Sequence, residues 1–159
     1  ICAYCGPLSS RAYAERTIAF RALIEQHHMP FEETWYTNIN GYGFQNAYDN
    51  ALKWISSWKK APEAILAFSD DMAMGLINAL KVKGYRVPQD ISVIGYDDIV
   101  FAGLFNPPLT TIRQNKVAIA ESAADILLNL INGESTEAES EEQVRRIPVQ
   151  LVVRESTRK

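Results

Sequence analysis

The chain of 159 residues has two cysteines, two histidines, no surplus of positive charge and no apolar run of membrane-spanning length. Each scarcity excludes something. A membrane helix needs roughly 18 consecutive apolar residues, and none is present. Sixteen Lys and Arg stand against nineteen Asp and Glu, a net charge of −3. That balance lacks the basic footprint of a surface that binds nucleic acid or an anionic membrane, so contact with DNA would have to come from elsewhere in a larger protein. Cys2 and Cys5 fall in a β-rich stretch, where positions three apart lie roughly 10 Å apart on opposite faces. They read as buried reduced thiols of a cytoplasmic protein, in preference to a disulfide, redox pair or metal site.

The common catalytic signatures are also missing. There is no HExxH, GxxxxGK[ST] or GxSxG, and no His follows a strand end to serve as a base. His27 and His28 end a predicted helix, where imidazole complements the dipole. The run Gly41-Tyr42-Gly43 imitates a dinucleotide fingerprint, but Asn46 replaces the third glycine. The expectation is a protein that is not an enzyme, without catalytic residues, metal or cofactor. Residues 1–10 lack an initiator Met and a basic, apolar leader, and Ile1–Cys5 reads like the middle of a fold. The chain therefore reads as part of a longer protein.

What is present is an alternation of short apolar runs and longer amphipathic ones. Strands are predicted at 1–5, 33–37, 64–68, 91–96 and 149–153, and helices at 11–28, 41–59, 70–83 and 116–132, with 99–112 irregular and 134–143 an exposed acidic loop. Pro148 places the last strand at a sheet edge. This order implies an α/β fold, a three-layer sandwich around a mostly parallel, Rossmann-like doubly wound sheet. The helix 116–132 is unusual. Val117, Ala120, Ala124, Ile126, Leu127, Leu128, Leu130 and Ile131 cover more than half its perimeter, so it calls for burial on two sides.

In open α/β sheets ligands bind beyond the carboxyl ends of the strands. Those ends carry Gly6–Ser10, Asn38–Gly43, Phe68–Asp71 and Tyr96–Asp98, rich in hydroxyl, amide and carboxylate groups. Arg16 falls on the apolar face of the first helix with Tyr13, Phe20, Leu23 and Ile24. A guanidinium there needs a partner. Asp97 can supply it and form a clamp for vicinal hydroxyls or a polar ring edge; an internal salt bridge or a snorkelling Arg are the competing readings. For Ser69–Asp71, helix capping competes with ligand contact.

The segments GPLSS with Glu15-Arg16, FSDDMAMG (68–75), VPQDISVIGYDD (87–98), PPLTTIRQ (107–114) and the closing IPVQLVVRESTRK together resemble the LacI/GalR family of bacterial transcriptional regulators over the whole chain. The resemblance implies a periplasmic binding protein-like core of two subdomains preceded by a helix-turn-helix head. Residues 1–114 would be its C-terminal subdomain, 115–133 a helix of the N-terminal subdomain, 134–143 a loop, and 144–159 a returning edge strand and tail. It implies an effector-sensing role, the effector being a sugar or related polar metabolite bound by Ser10, Arg16, Asn38, Ser69, Asp97 and Gln114. Ser69 stands where Asn is frequent in the family, and Asn38 where an aromatic is common. A homodimer is implied through Met74, Ile77, Asn78, Lys81, Phe101, Leu104 and Phe105, although packing beneath the 99–105 loop would also account for these residues. Operator DNA would be bound only through the head. The alternative is a periplasmic sugar-binding protein serving transport.

Overall fold

In the computed structural model, which describes residues 1–30, 33–133 and 145–158, the strand β1 (Cys2–Cys5) lies inside the sheet with all four residues buried. Successive side chains of a strand point to opposite faces, and here they divide two cores. Cys2 and Tyr4 join a large cluster with Trp54, Met72, Leu76 and Leu80, whereas Ala3 and Cys5 join Phe20, Ile24 and Phe68. The first cluster brings in α2 (Phe44–Ser56) and α3 (Asp70–Val82), and the second α1 (Arg11–Gln26). Helices therefore cover both faces, and the unbroken apolar run of β1 follows from that double burial.

The remaining strands are β2 (Tyr36–Asn38), β3 (Ala64–Ala67), β4 (Ser92–Asp97), β5 (Thr110–Gln114) and β6 (Val149–Val152), in spatial order β2-β1-β3-β4-β5-β6. Strands β2, β1, β3 and β4 pair in parallel, Cys5 lying opposite Asn38 and Ala64 opposite Ser92. The α/β class and parallel sheet expected from the alternation are present, and β6 ends the strand order as Pro148 suggested.

The differences are local. The stretch 33–37 opens with a 3-10 turn, Glu33–Trp35, before β2, and α2 begins only at Phe44 because the positive φ of Gly41 and Gly43 (103° and 83°) holds a turn ahead of it. Within the segment read as irregular, Thr110–Gln114 forms β5. Its TTIRQ is too short and polar to declare itself, and it is fixed from outside. The closing segment loops back, and Ser156 accepts from Thr110 N–H (2.8 Å), donates from Oγ to Val93 carbonyl (2.6 Å), and offers its own carbonyl to Val93 N–H (2.8 Å). That one buried serine ties β4 to β5.

The chain divides into two units, 1–112 with 151–159, and 113–150. The second unit carries α4 (Lys116–Ile131), capped by Asn115, whose side chain accepts from Ala118 N–H. No residue of α4 is buried, and Val117, Leu127 and Ile131 are each more than half exposed. The expected loop 134–143 lies outside the described residues.

Candidate ligand-binding site

The parallel strands deliver their carboxyl ends to one edge of the first unit. At β1 the chain turns through Gly6, where a Cβ would collide with the ring of Tyr13. This glycine lets the first turn of α1 fold over the strand end. One turn further on, Arg16 reaches across three strands. Its Nη1 donates to the Phe68 carbonyl just after β3 (2.6 Å), Nη2 stands 4.0 Å from Asp97 Oδ1 at the end of β4, and the guanidinium lies over the ring of Tyr96, 3.6 Å from its centroid. Both partners remain partly open, with side-chain exposures of 21% for Arg16 and 29% for Asp97. A charge-assisted hydrogen bond and a cation–π contact hold the guanidinium plane in place, while the looser contact with Asp97 leaves an edge facing outward.

Tyr13 adds a second layer. Its hydroxyl is hydrogen-bonded to the Ser69 side chain, its ring stacks against Tyr42 (6.2 Å between centroids), and Arg16 sits 5.8 Å from its ring centre. Burial pushes the Tyr13 hydroxyl above its ordinary range, so it stays protonated. Ser69 caps α3, accepting from Met72 N–H at 3.3 Å. Capping therefore holds for Ser69, and the same side chain also faces Tyr13. Ser10 occupies the N-cap of α1 without a side-chain cap bond. Asn38 is exposed at the end of β2, beside Cys5. The first unit thus brings Arg16, Asp97 and Ser69 together around Tyr13, with Ser10 and Asn38 on neighbouring strand-end segments. Gln114 ends β5 within the second unit.

Behind this open edge the carboxylates are tied down. Asp70 is fully buried; it accepts from Thr111 Oγ1 (2.5 Å) and from Ile99 N–H (2.8 Å). Burial, more than the neighbouring Asp97 and Asp98, pushes its carboxyl upward, against the pull of those two hydrogen bonds. Asp98 pairs with Arg154 at 2.7 Å, and the same guanidinium donates to the Leu109 carbonyl, also at 2.7 Å. These ties hold an unusual backbone. Asp97 and Asp98 adopt φ of 114° and 48°, a region that costs a non-glycine residue of order 1–3 kcal/mol and persists only where surroundings over-determine it. Among the described residues no group of His, Cys, Asp and Glu could hold a metal ion. The edge offers a planar donor, an acceptor, hydroxyls and aromatic faces, which is equipment for binding polar small molecules.

A family model for the periplasmic binding protein-like domain matches residues 2–157. The chain belongs to that family. The transcriptional repressor PurR of Vibrio vulnificus is 36% identical over 154 residues, 97% of this chain and 44% of that protein; PurR of Haemophilus influenzae is 33% identical over 97% of this chain and 45% of its own length. The chain thus spans a little under half the length of these curated relatives. Among solved structures, a transcriptional regulator CelR–cellobiose complex superposes with a TM-score of 0.86 at 28% identity, covering 98% of this chain and 46% of that one. A lac repressor dimer bound to operator and the anti-inducer ONPF gives 0.83 at 28% identity, covering 98% and 51%. The periplasmic binding protein-like fold here is therefore of the form carried by LacI-type regulators, and the curated relatives are transcriptional repressors. No helix among the described residues is long and apolar enough to cross a membrane.

Within this periplasmic binding protein-like unit, two residues expected at a dimer contact require correction. Met74 and Ile77 are core residues, 6% and 0% exposed, because α3 packs against β3 and β4 and also against α2. Seven apolar residues of α3 are buried, Met74 and Ile77 among them, so the helix has more than one buried face. Asn78 is half-buried and Lys81 exposed, its ammonium donating to the Asn106 carbonyl and lying 5.7 Å from the Phe105 ring. Phe101, on a short 3-10 turn (Val100–Gly103), and Leu104, just after it, are 66% and 78% exposed; Phe105 packs partly against the core. Sequence reasoning missed Tyr13 and Tyr42 as site residues. Tyr13 was credited to the apolar face of α1, and only its proximity to Ser69 reveals the polar end.

Proposed function

We propose that this chain is the effector-sensing part of a LacI-type transcriptional regulator. The observation that carries the reading is the Arg16–Asp97 pair, seated on Tyr96 at the carboxyl edge of the sheet and still open to solvent. Such a pair binds vicinal hydroxyls or a polar ring edge and performs no chemistry. Ser10, Arg16, Asn38, Ser69, Asp97 and Gln114 contact the effector, a sugar or related polar metabolite; the cellobiose bound by one structural neighbour supports that class of effector.

In this reading residues 1–114 form one subdomain, and α4 belongs to the other, which buries its exposed Val117, Leu127 and Ile131. Effector in the cleft favours one orientation of the two subdomains and so biases operator affinity, a population shift transmitted through a homodimer. The dimer contact uses Asn78, Lys81, Phe101, Leu104 and Phe105, with Met74 and Ile77 supporting it from beneath. DNA is bound by a head outside this chain, and the protein works in the cytoplasm without enzymatic turnover. A transport role for the same fold draws less support, since the curated relatives are repressors.

The test is titration calorimetry on the intact protein with its effector. Arg16→Ala and Asp97→Ala each abolish measurable binding while the thermal transition stays cooperative; unchanged affinity in both variants refutes the site.

A further inference from the structure

We infer that Asp70 is the positioning residue of the proposed site: buried and out of reach of any effector, it fixes the direction in which Asp97 is presented. The inference rests on the reading of Asp97 as an effector contact and adds the group that aims it. The register of β4 with β3 runs to Ile94 opposite Leu66, so Gly95 to Asp98 extend past it. Asp70 holds that extension on both sides of Asp97. Ahead of it, the carboxylate lies so close to Gly95 that a Cβ there would overlap Asp70 Oδ1. Beyond it, Asp70 Oδ2 accepts from Ile99 N–H at 2.8 Å. Between these two anchors Asp97 and Asp98 keep φ of 114° and 48°. Relaxing either angle to the common negative range would turn the Asp97 carboxylate to a new direction relative to Arg16, which stands 4.0 Å from it.

An acidic residue in the first turn of a helix often serves only the helix dipole. Here the cap of α3 is Ser69, which accepts from Met72 N–H, while Asp70 directs its two oxygens to Ile99 and Thr111, 29 and 41 residues away. Burying a carboxylate is costly and both partners are neutral donors, so helix stability alone does not account for the arrangement. The same bonds join the segments that carry three of the proposed contacts. Ser69 directly precedes Asp70, and its side chain meets Tyr13. Asp97 lies two positions before Ile99, and Thr111 lies in β5, three positions before Gln114. One buried carboxylate thereby orders these strand ends from behind, without taking part in the contact itself.

The test uses the intact protein that contains this chain and compares Asp70→Ala, Asp70→Asn and Thr111→Val with Leu80→Ala, a buried truncation about three turns further along α3. Amide hydrogen exchange, measured well below every melting transition, reads the bend directly. Asp70→Ala speeds exchange at Ile99 by about tenfold, the loss expected of one hydrogen bond, whereas Leu80→Ala leaves it within about twofold of the parent. Asp70→Asn restores protection, because its carbonyl oxygen still accepts from Ile99 while the Thr111 hydroxyl turns to accept from its amide. Calorimetry with cellobiose and hypoxanthine follows the consequence. The responding probe binds about tenfold more weakly to Asp70→Ala, about threefold more weakly to Thr111→Val, and with parental affinity to Asp70→Asn. Parental exchange or parental affinity in Asp70→Ala overturns the inference, as does an equal loss in Leu80→Ala. If Asp70→Ala fails to fold, Thr111→Val decides by the same two readouts. Failure of both probes, or an affinity indifferent to Arg16→Ala and Asp97→Ala, counts against the sensing role, and exchange at Ile99 still decides the inference about Asp70.

Discussion

Asp97 and Asp98 are adjacent, chemically identical and share the same strained turn, but they face two different regions. Asp98 looks inward to a latch in which each charge has a close partner: Asp98 with Arg154, Arg154 with the Leu109 carbonyl, Asp70 with Thr111 and Ile99, Ser156 with Thr110 and Val93. Asp97 looks outward to an edge where Arg16 approaches only to 4.0 Å and both side chains keep roughly a quarter of their surface in solvent. The latch is closed on itself, and the edge is the place proposed here for a ligand. Holding the turn rigid from behind keeps the strained φ of Asp97 and Asp98 in place while the side chains of Arg16 and Asp97 stay partly open to solvent.

That contrast can be broken most forcefully at Arg154. Replacing it with Ala strands the nearly buried Asp98 carboxylate and is expected to cost about 3–5 kcal/mol in urea unfolding; a loss under about 1 kcal/mol would show that the latch is no more closed than the edge. Next is Gly95→Ala, which directs a Cβ into the Asp70 carboxylate and to within 2.9 Å of Leu109. Overpacking of this kind costs about 1–3 kcal/mol. At the edge, Arg16→Ala should cost only about 1 kcal/mol, the worth of one charge-assisted hydrogen bond at a partly exposed site, while removing effector response entirely. Equal stability losses for Arg16→Ala and Arg154→Ala would erase the distinction.

Two smaller effects sharpen it through pH. Asp70 has its pKa raised in the folded state, so its stabilising contribution is full below the ordinary carboxylate value of 3.8 and is lost as pH rises through the folded value. Asp70→Asn should flatten that portion of a profile of melting temperature against pH; an unaltered profile would mean the carboxyl is not desolvated. The exposed pair Arg86–Asp90 behaves oppositely. Asp90 is lowered to about 2, chiefly by its hydrogen bond to the Arg86 side chain, so its contribution is present above 3.8 and lost as pH falls towards 2. Arg86 is exposed and Asp90 partly so, which keeps the effect small. Arg86→Gln should lower the midpoint at neutral pH only slightly and flatten its fall below pH 3.8; an unchanged acid limb would show that the pair contributes nothing.

Much of the fold was legible because the doubly covered sheet leaves a coarse mark. CAYC, AILA and SVIGYD are short and apolar, and the first two are each followed by a turn and an amphipathic helix, so alternation implies parallel strands with helices on both faces. Arg16 was legible for a related reason: a cation on an apolar face has few ways to be satisfied. The misreadings have equally specific causes. β5 is polar because its order comes from Ser156 and Asp70, partners 46 and 41 residues away. The family resemblance places Met74 and Ile77 at a dimer contact, but it carries no account of how many neighbours this helix has, and α3 packs against α2 as well as β3 and β4.

By itself, then, the sequence determined the order of elements, the sheet edge proposed here as the ligand site and the placing of Arg16 there, since all three depend on local periodicity and on the cost of burying charge. Which carboxylate of Asp97-Asp98 faces outward, which aromatic rings line the edge and how Asp70 and Arg154 brace it were decided only in three dimensions. Those outcomes depend on contacts between residues tens of positions apart, and no local pattern carries the distance between Asp98 and Arg154.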